Sequence, residues 1–364
     1  MIRVGITELH GIAQECIQHP AEDVHYSSVD PSAHWTNKLI TSPAKGVLDY
    51  FESDKHDVIE APLFPILTNN NWIYTPAESS ACLTFSLFNL PMPRLPRALF
   101  MKHVFMKDNF KKLIFKSQAG LGTLNQYPIL QHPEIMKKVE VVYPAIGNVD
   151  DSLIQYNTNK INILFSGDFF RKGGANLVDA FEQAQKKHDN IHLRICTRPD
   201  LQTSNEQLRK KYQKKIEENN NISLGFVDRK VLMNEILPQT DIFASPTYQE
   251  TFGFALLEAM AYGIPVISTN HFAIPEIIEH NASGLLIDTE QFDFIKNFKG
   301  YTIEHIPEDF NDYMQEQMYK HLTSLIESEE LRRSMGQSAL QTARNKFGFE
   351  ARNKAMTKIY QEAI

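Results

Sequence analysis

The chain has 364 residues, 42% hydrophobic and 22% charged, with a formal net charge of −7. That length fits two or three domains with sizeable cores, and the acidic balance gives no general electrostatic reason to expect a nucleic-acid partner. Three scattered cysteines, Cys16, Cys82 and Cys196, exclude a disulfide framework or a Cys-based metal cluster and fit a reducing compartment.

The start, Met1 to Ile6, reads as a strand rather than a signal peptide. No apolar run is long enough to cross a bilayer, so the expectation is a soluble, cytoplasmic protein. Val4-Gly5-Ile6, Val24-His25-Tyr26 and Asp57-Val58-Ile59 read as strands, and Lys45 to Phe51 and Phe100 to Lys107 as helical pieces. In residues 91–116, Arg94, Arg97, Lys102, Lys107, Lys111, Lys112 and Lys116 face a single acid, Asp108. They interleave with Leu95, Leu99, Phe100, Phe105, Met106 and Phe110. One reading is a surface helix resting on anionic lipid head groups, a peripheral membrane contact. The other is a solvated basic face over a core-facing apolar stripe. A strand at Lys112 to Phe115 then leads to a helix capped by Ser117. Gly120 to Asn125 misses the third glycine of a dinucleotide loop and is set aside. Val139 to Tyr143 is another strand, and the periodicity breaks over 144–150, where an interdomain linker belongs.

The second half is more regular. A strand, Ile161 to Ser166, delivers Gly167 and then Arg171-Lys172-Gly173-Gly174 just before a helix, Ala175 to Gln185. Cations and glycines at a helix start suit a diphosphate, which points to Arg171 and Lys172. His192 to Cys196 and Ile222 to Val227 are further strands, with a helical piece over Leu232 to Leu237. Asp241 to Ala244 is a strand ending at Ser245-Pro246. A helix runs from Gly253 to a stop at Gly263, with Pro265 beyond, and Val266 to Ser268 is the next strand. In this parallel unit the ligand belongs at the carboxyl end of the strands. The turn signals place Glu250 on the loop and Glu258 in the helix; on one continuous helix they would lie ~12 Å apart. Between them the amides of Phe252, Gly253 and Phe254 form an anion site at a helix N-terminus, where Gly253 allows close approach. Helical patterns at Asp309 to Glu327 and Glu330 to Lys346, an interruption at Phe347-Gly348-Phe349 and a last helix to Ala363 complete the chain.

Glu250-x7-Glu258, with Phe252-Gly253-Phe254 between and Glu258-Ala259-Met260-Ala261 after, resembles the retaining family-4-type glycosyltransferases of the GT-B fold. Gly263-x-Pro265-Val266-Ile267, Pro275-Glu276 and Gly284-Leu285-Leu286 continue the match. The resemblance implies an α/β protein of two Rossmann-like domains facing across a cleft. Residues 1–147 would form the acceptor side, residues 148–347 would bind the nucleotide sugar, and a helix over 348–364 would cross back to the first domain. That first domain departs from the family pattern: only Gly5 and Gly11 stand where a glycine-rich loop is usual, and the segment to the next strand is short, so it looks trimmed.

The same resemblance implies site roles. Glu258 would take the ribose hydroxyls of a UDP- or GDP-sugar, and Arg171 and Lys172 its diphosphate. Gly167 and Gly173 belong to that loop; Lys172-Gly173 matches the family's Lys-Gly, whereas Asp168 follows Gly167 where an arginine is usual. Glu250 and the Phe252 to Phe254 amides would orient the sugar, backbone near Val227 would meet the base, and Glu276 would face the same cleft. Retention would come from front-face attack by a hydroxyl of a glycan or lipid-linked acceptor. No Asp-x-Asp occurs, so no metal is expected, nor any cofactor beyond the nucleotide-sugar co-substrate. His10, His103 and Glu78 are first-domain candidates by position only. Two other functions compete: a catalytically idle, partner-binding subunit, favoured by the trimmed domain and the missing arginine, and another GT-B enzyme such as a nucleotide-sugar epimerase, which the paired glutamates disfavour.

Overall fold

Short β-branched and aromatic runs separated by helical segments of 3.6 periodicity call for parallel sheets with helices on their faces. The computed structural model describes residues 1–9, 12–38, 40–41, 48–87, 93–154, 160–203, 205–292 and 306–364. They divide into two units: Met1–Gly147 with Phe347–Ile364, and Asn148–Lys346.

The first unit holds six parallel strands: β1 (Ile2–Ile6), β2 (Val24–Ser28), β3 (Val58–Ala61), β4 (Trp72–Tyr74), β5 (Phe110–Phe115) and β6 (Val139–Val141). Their order is β6-β5-β4-β3-β1-β2. The connection between β1 and β2 is short and carries, among the described residues, the seven-residue helix α1 (Ile12–Gln18). Helix α2 (Arg94–Met106) packs Ala98, Met101, Val104 and Phe105 into a core with Trp72, Tyr74 and Phe110. It starts six residues before the helical piece the sequence suggests. Pro96 reads as a breaker, yet it sits in the first turn, where a missing N–H costs nothing. On the opposite sheet face Val4, Ile6, Tyr26, Val58 and Ile114 pack against Met356, Ile359 and Tyr360 of the last helix. Of the helical reading of Lys45 to Phe51, residues 45–47 lie outside the described residues and the rest is not helical: Leu48 is in a turn, and Tyr50–Phe51 is a short strand paired with Leu67–Thr68. His10 and Gly11 also lie outside the described residues.

The second unit repeats the plan: β7 (Ile161–Ser166), β8 (Ile191–Cys196), β9 (Ile222–Leu224), β10 (Ile242–Ser245), β11 (Val266–Thr269) and β12 (Gly284–Ile287), in the order β9-β8-β7-β10-β11-β12, all parallel. Between β5 and β7 lie the short helices α3 (Gln118–Gly122) and α4 (Pro133–Met136). The Ser117 hydroxyl accepts from the Gly120 amide, so the cap read from sequence forms. Helix α5 (Gly174–Gln185) packs against α10 (Glu308–Glu327), and both bury apolar faces in the core around Phe165, Leu193 and Met318. Helices α6 (Glu206–Glu217), α7 (Arg229–Val231), α8 (Phe254–Ala261), α9 (Ile274–Ile277) and α11 (Glu329–Phe347) complete the unit, and α12 (Phe349–Ala363) returns to the first. Strand β9 ends at Leu224, three residues before the sequence reading. Phe226 is solvent-exposed and Asp228 caps α7 by accepting from the Val231 amide, so the segment turns into a loop.

Candidate active site

Ligands of open α/β sheets bind beyond the carboxyl ends of the strands, at the point where the strand order reverses. In the second unit that point lies between β7 and β10. The loops leaving those two strands carry Gly167–Gly173 and Pro246–Gly253, and they are laced together. The Tyr248 amide and the Thr247 hydroxyl donate to the Arg171 carbonyl, at 3.0 and 3.4 Å, and the Ser245 hydroxyl to that of Lys172 at 3.4 Å. The approach is so close that a Cβ on Gly173, whose φ is +77°, would sit 2.1 Å from the Pro246 carbonyl oxygen.

This packing brings two predicted residues into direct contact. The Lys172 ammonium donates to Glu250 Oε2 at 2.6 Å and to the Gln249 carbonyl at 2.9 Å. Both side chains are more than four-fifths buried, so the pair is shielded from solvent screening. The other Glu250 oxygen accepts the amides of Thr251 (2.9 Å) and Phe252 (3.4 Å), which fixes the carboxylate on the loop. At Gly253, φ is +112°, a backbone conformation that suits glycine. Helix α8 starts one residue later, and its cap residue offers no side chain to the first-turn amides. A cation, a carboxylate and a helix N-terminus thus converge on one loop pair, as phosphate and hydroxyl recognition require.

Glu258 lies on the buried face of α8 and forms an ion pair with Arg229, at the start of α7. The loop Gly225–Val227 precedes that arginine by one residue, so the backbone segment expected to meet a base runs beside the carboxylate expected to meet a ribose. Arg171 sits differently from Lys172: half-exposed, its Nε is 3.4 Å from Asp168. Gly167 opens the same loop. Glu276 is in other surroundings. Its carbonyl accepts from Lys346 Nζ at 2.7 Å, and it lines a cavity of about 610 Å³ with Ser338, Gln341, Thr342 and Asn345 of α11. Neither Lys172, Glu250 nor Glu258 lines that cavity.

Two residues missed by the sequence reading belong to the site. Arg229 is one; its signal was a cation directly after the Gly225–Val227 loop. The other is His271, buried two residues past β11. Burial pushes its imidazole down to about 4, and Lys172 adds to that while Glu250 opposes it, so the ring is neutral at physiological pH. A histidine at the carboxyl end of a parallel strand was a legible cue. In the first unit, His103 is exposed on α2, and Glu78 follows β4 and accepts from the Ser80 hydroxyl. Among the described residues no group of His, Cys, Asp and Glu could hold a metal ion.

The solved structure of sucrose-phosphate synthase from Thermosynechococcus elongatus resembles this chain with a TM-score of 0.62 at 14% identity, covering 100% of this chain and 99% of that one. The chain has the GT-B fold: α/β, with a Rossmann-like sheet in each of its two units. Within it, residues 152–298 match the model of Glycosyl transferases group 1, a stretch that contains every residue predicted for the donor site. An uncharacterized 41.2 kDa protein in the cps region of Klebsiella pneumoniae is 29% identical over 163 residues, 42% of this chain and 42% of its own length. A probable sucrose-phosphate synthase of Thermosipho melanesiensis is 26% identical over 215 residues, 56% of this chain and 51% of its own. The chain thus spans about half the length, or less, of these curated relatives.

Proposed function

We propose that the protein is a retaining glycosyltransferase that moves a sugar from a UDP- or GDP-linked donor to a hydroxyl of a glycan or lipid-linked acceptor, without a metal. The observation that carries this reading is the buried Lys172–Glu250 pair at the strand reversal of the second unit, flanked by the open first turn of α8 and by Glu258. A donor diphosphate would draw the Lys172 ammonium, and Arg171 with it, toward its oxygens. Glu250 would then turn to the sugar hydroxyls. Fixed cations and amides aimed at the departing phosphate stabilise the leaving group as its charge grows. Glu258, oriented by Arg229, takes the ribose. Neutral His271 offers a hydrogen bond but no charge to the sugar. The match over residues 152–298 and the relative from a cps region support sugar transfer in polysaccharide synthesis. The comparisons lend no support to the idle-subunit alternative.

A peripheral membrane contact through α2 is part of this proposal. Leu95, Leu99 and Met106 are exposed along the helix at spacings of four and seven residues, beside Arg94, Lys102 and His103. The basic run is smaller than its sequence: Arg97 donates to the Leu83 carbonyl, and Lys112 pairs with Glu140 and Glu362. Among the described residues no helix is long and apolar enough to cross a membrane.

A thermal-shift screen of UDP, GDP and their sugars on wild type and Glu258→Ala tests the donor site. Stabilisation by one nucleotide that disappears in the variant is the expected result; indifference to every nucleotide at millimolar concentration overturns the reading. Binding to anionic liposomes at low salt, weakened by Leu95→Ser with Leu99→Ser, tests the α2 contact; equal binding by the variant overturns it.

A further inference from the structure

The first unit has its own point of strand reversal, between β1 and β3, and it holds two cations, Lys116 and Arg352, that share the field of buried Glu60 without an ion pair at close distance among the described residues. Lys116 follows β5 directly. Its half-buried ammonium makes one hydrogen bond, to the Pro62 carbonyl at 3.4 Å, and among the described residues no carboxylate lies within ion-pair distance. Arg352, on the first turns of α12, is also half-buried. Its guanidinium has five donors and makes one long side-chain bond, 3.5 Å, to its neighbour Asn353; burial opposes its charge, but Cys16, Tyr360, Glu60 and Tyr26 around it more than offset that and push its pKa up. Helix α12 runs antiparallel to the strands: its end meets Asn71, just before β4, while Tyr360 meets Glu60 near the end of β3. Arg352 lies about two turns before Tyr360, which puts it at the carboxyl end of the sheet. Burial pushes the Lys116 ammonium down, Glu60 opposes that, and Arg352 adds to it, so the two cations feel each other. Glu8, immediately past β1, accepts the Leu63 amide at 3.2 Å, and burial pushes its carboxyl up to about 7.

A half-buried cation whose protein contacts use only some of its donors leaves the rest to water or to a ligand. Two such cations beyond the carboxyl ends of a parallel sheet define a place for an anion.

We propose that Lys116 and Arg352 hold an oxyanion, a phosphoryl or carboxylate group, carried by the acceptor, and that Glu8 hydrogen-bonds a hydroxyl next to it. The site sits within the first unit. Calling its ligand the acceptor rests on the transferase reading; the binding of the anion does not.

The test is calorimetric titration with inorganic phosphate, glycerol 3-phosphate and malonate, in saturating nucleoside diphosphate so that the donor loops are filled. Wild type is expected to bind at least one of them, and Lys116→Met or Arg352→Gln to weaken it about tenfold or more, the scale of a charge-assisted contact. Phosphate against malonate decides between phosphoryl and carboxylate. A gain of glycerol 3-phosphate over phosphate that disappears in Glu8→Gln assigns the hydroxyl to Glu8; no gain removes that part of the proposal. Without ligand, Lys116→Met should melt about 2 °C or more above wild type, because it removes an underpaired charge; a structural lysine would do the opposite. No saturable binding by wild type, or equal binding by wild type and both variants, overturns the proposal. Nucleotide affinity unchanged in Lys116→Met separates this site from the donor site. Anion binding by a protein that binds no nucleotide would sink the transferase reading and leave the anion site standing.

Discussion

The two strand reversals have the same geometry and opposite electrostatics. In the second unit, lysine and glutamate from the two loops neutralise each other, and the loops are tied by carbonyl hydrogen bonds. In the first, the carboxyl of Glu8 faces a backbone amide, while Lys116 and Arg352 lack ion-pair partners among the described residues. A paired site holds its loops rigid in the absence of ligand, and binding exchanges one partner for another. An underpaired site is less stable alone and gains more from whatever fills it.

The largest expected effect breaks the pair. Glu250→Gln should lower transfer by about 10²–10³-fold with nucleotide affinity little changed, measured as initial rates with saturating donor. Loss of affinity with rate preserved would make Glu250 a donor-binding group only. Gly173→Ala attacks the lacing between the loops: with φ at +77° and a carbonyl 2.1 Å from the new Cβ, it should cost about 3 kcal/mol and abolish the nucleotide-induced melting shift. Tyr360→Phe sharpens the other side of the comparison, leaving buried Glu60 short of a donor. A loss of about 1–3 kcal/mol in urea unfolding is expected.

The smallest effect is a difference of pH slopes. Glu8 ionises at 4.5 when exposed and at about 7 in the fold. The unfolded chain therefore loses that proton first, and stability complete below pH 4.5 declines as pH rises through 7. His271 is the reverse: 6.5 when exposed and about 4 in the fold. Its contribution is complete above pH 6.5 and is lost as pH falls through 4. Glu8→Gln should raise the unfolding midpoint at pH 7 relative to pH 5, and His271→Asn should lower it. Identical pH profiles for wild type and both variants would discard both assignments.

The second unit was legible in the sequence because its site is local. Gly173, Glu250, Gly253 and Glu258 announce their placement on loop and helix through glycine, turn chemistry and helix phase, each within a few residues. What stayed hidden was pairing. That Lys172 meets Glu250 depends on β7 lying beside β10, a contact 78 residues apart, and no local signal encodes it. Arg229 and His271 were passed over because neither sits in the loop pattern, although both follow the ends of parallel strands. The first unit was opaque for the same reason carried further. Its candidate site joins residues after β1 and β5 to a helix more than two hundred residues away. The basic stretch 91–116 misled in a different way: composition registers Arg97, Lys112 and Lys116 as surface charge, whereas the fold turns them toward a carbonyl, two carboxylates and the sheet end.

Helix α12 bears on how the protein is made. Met356, Ile359 and Tyr360 cover Val4, Tyr26, Val58 and Ile114, so one face of the first sheet stays bare until the whole second unit has left the ribosome. Translation delivers the two units in one order and completes them in the other. For that interval the nascent chain carries an uncovered apolar face, the kind of surface that chaperones hold.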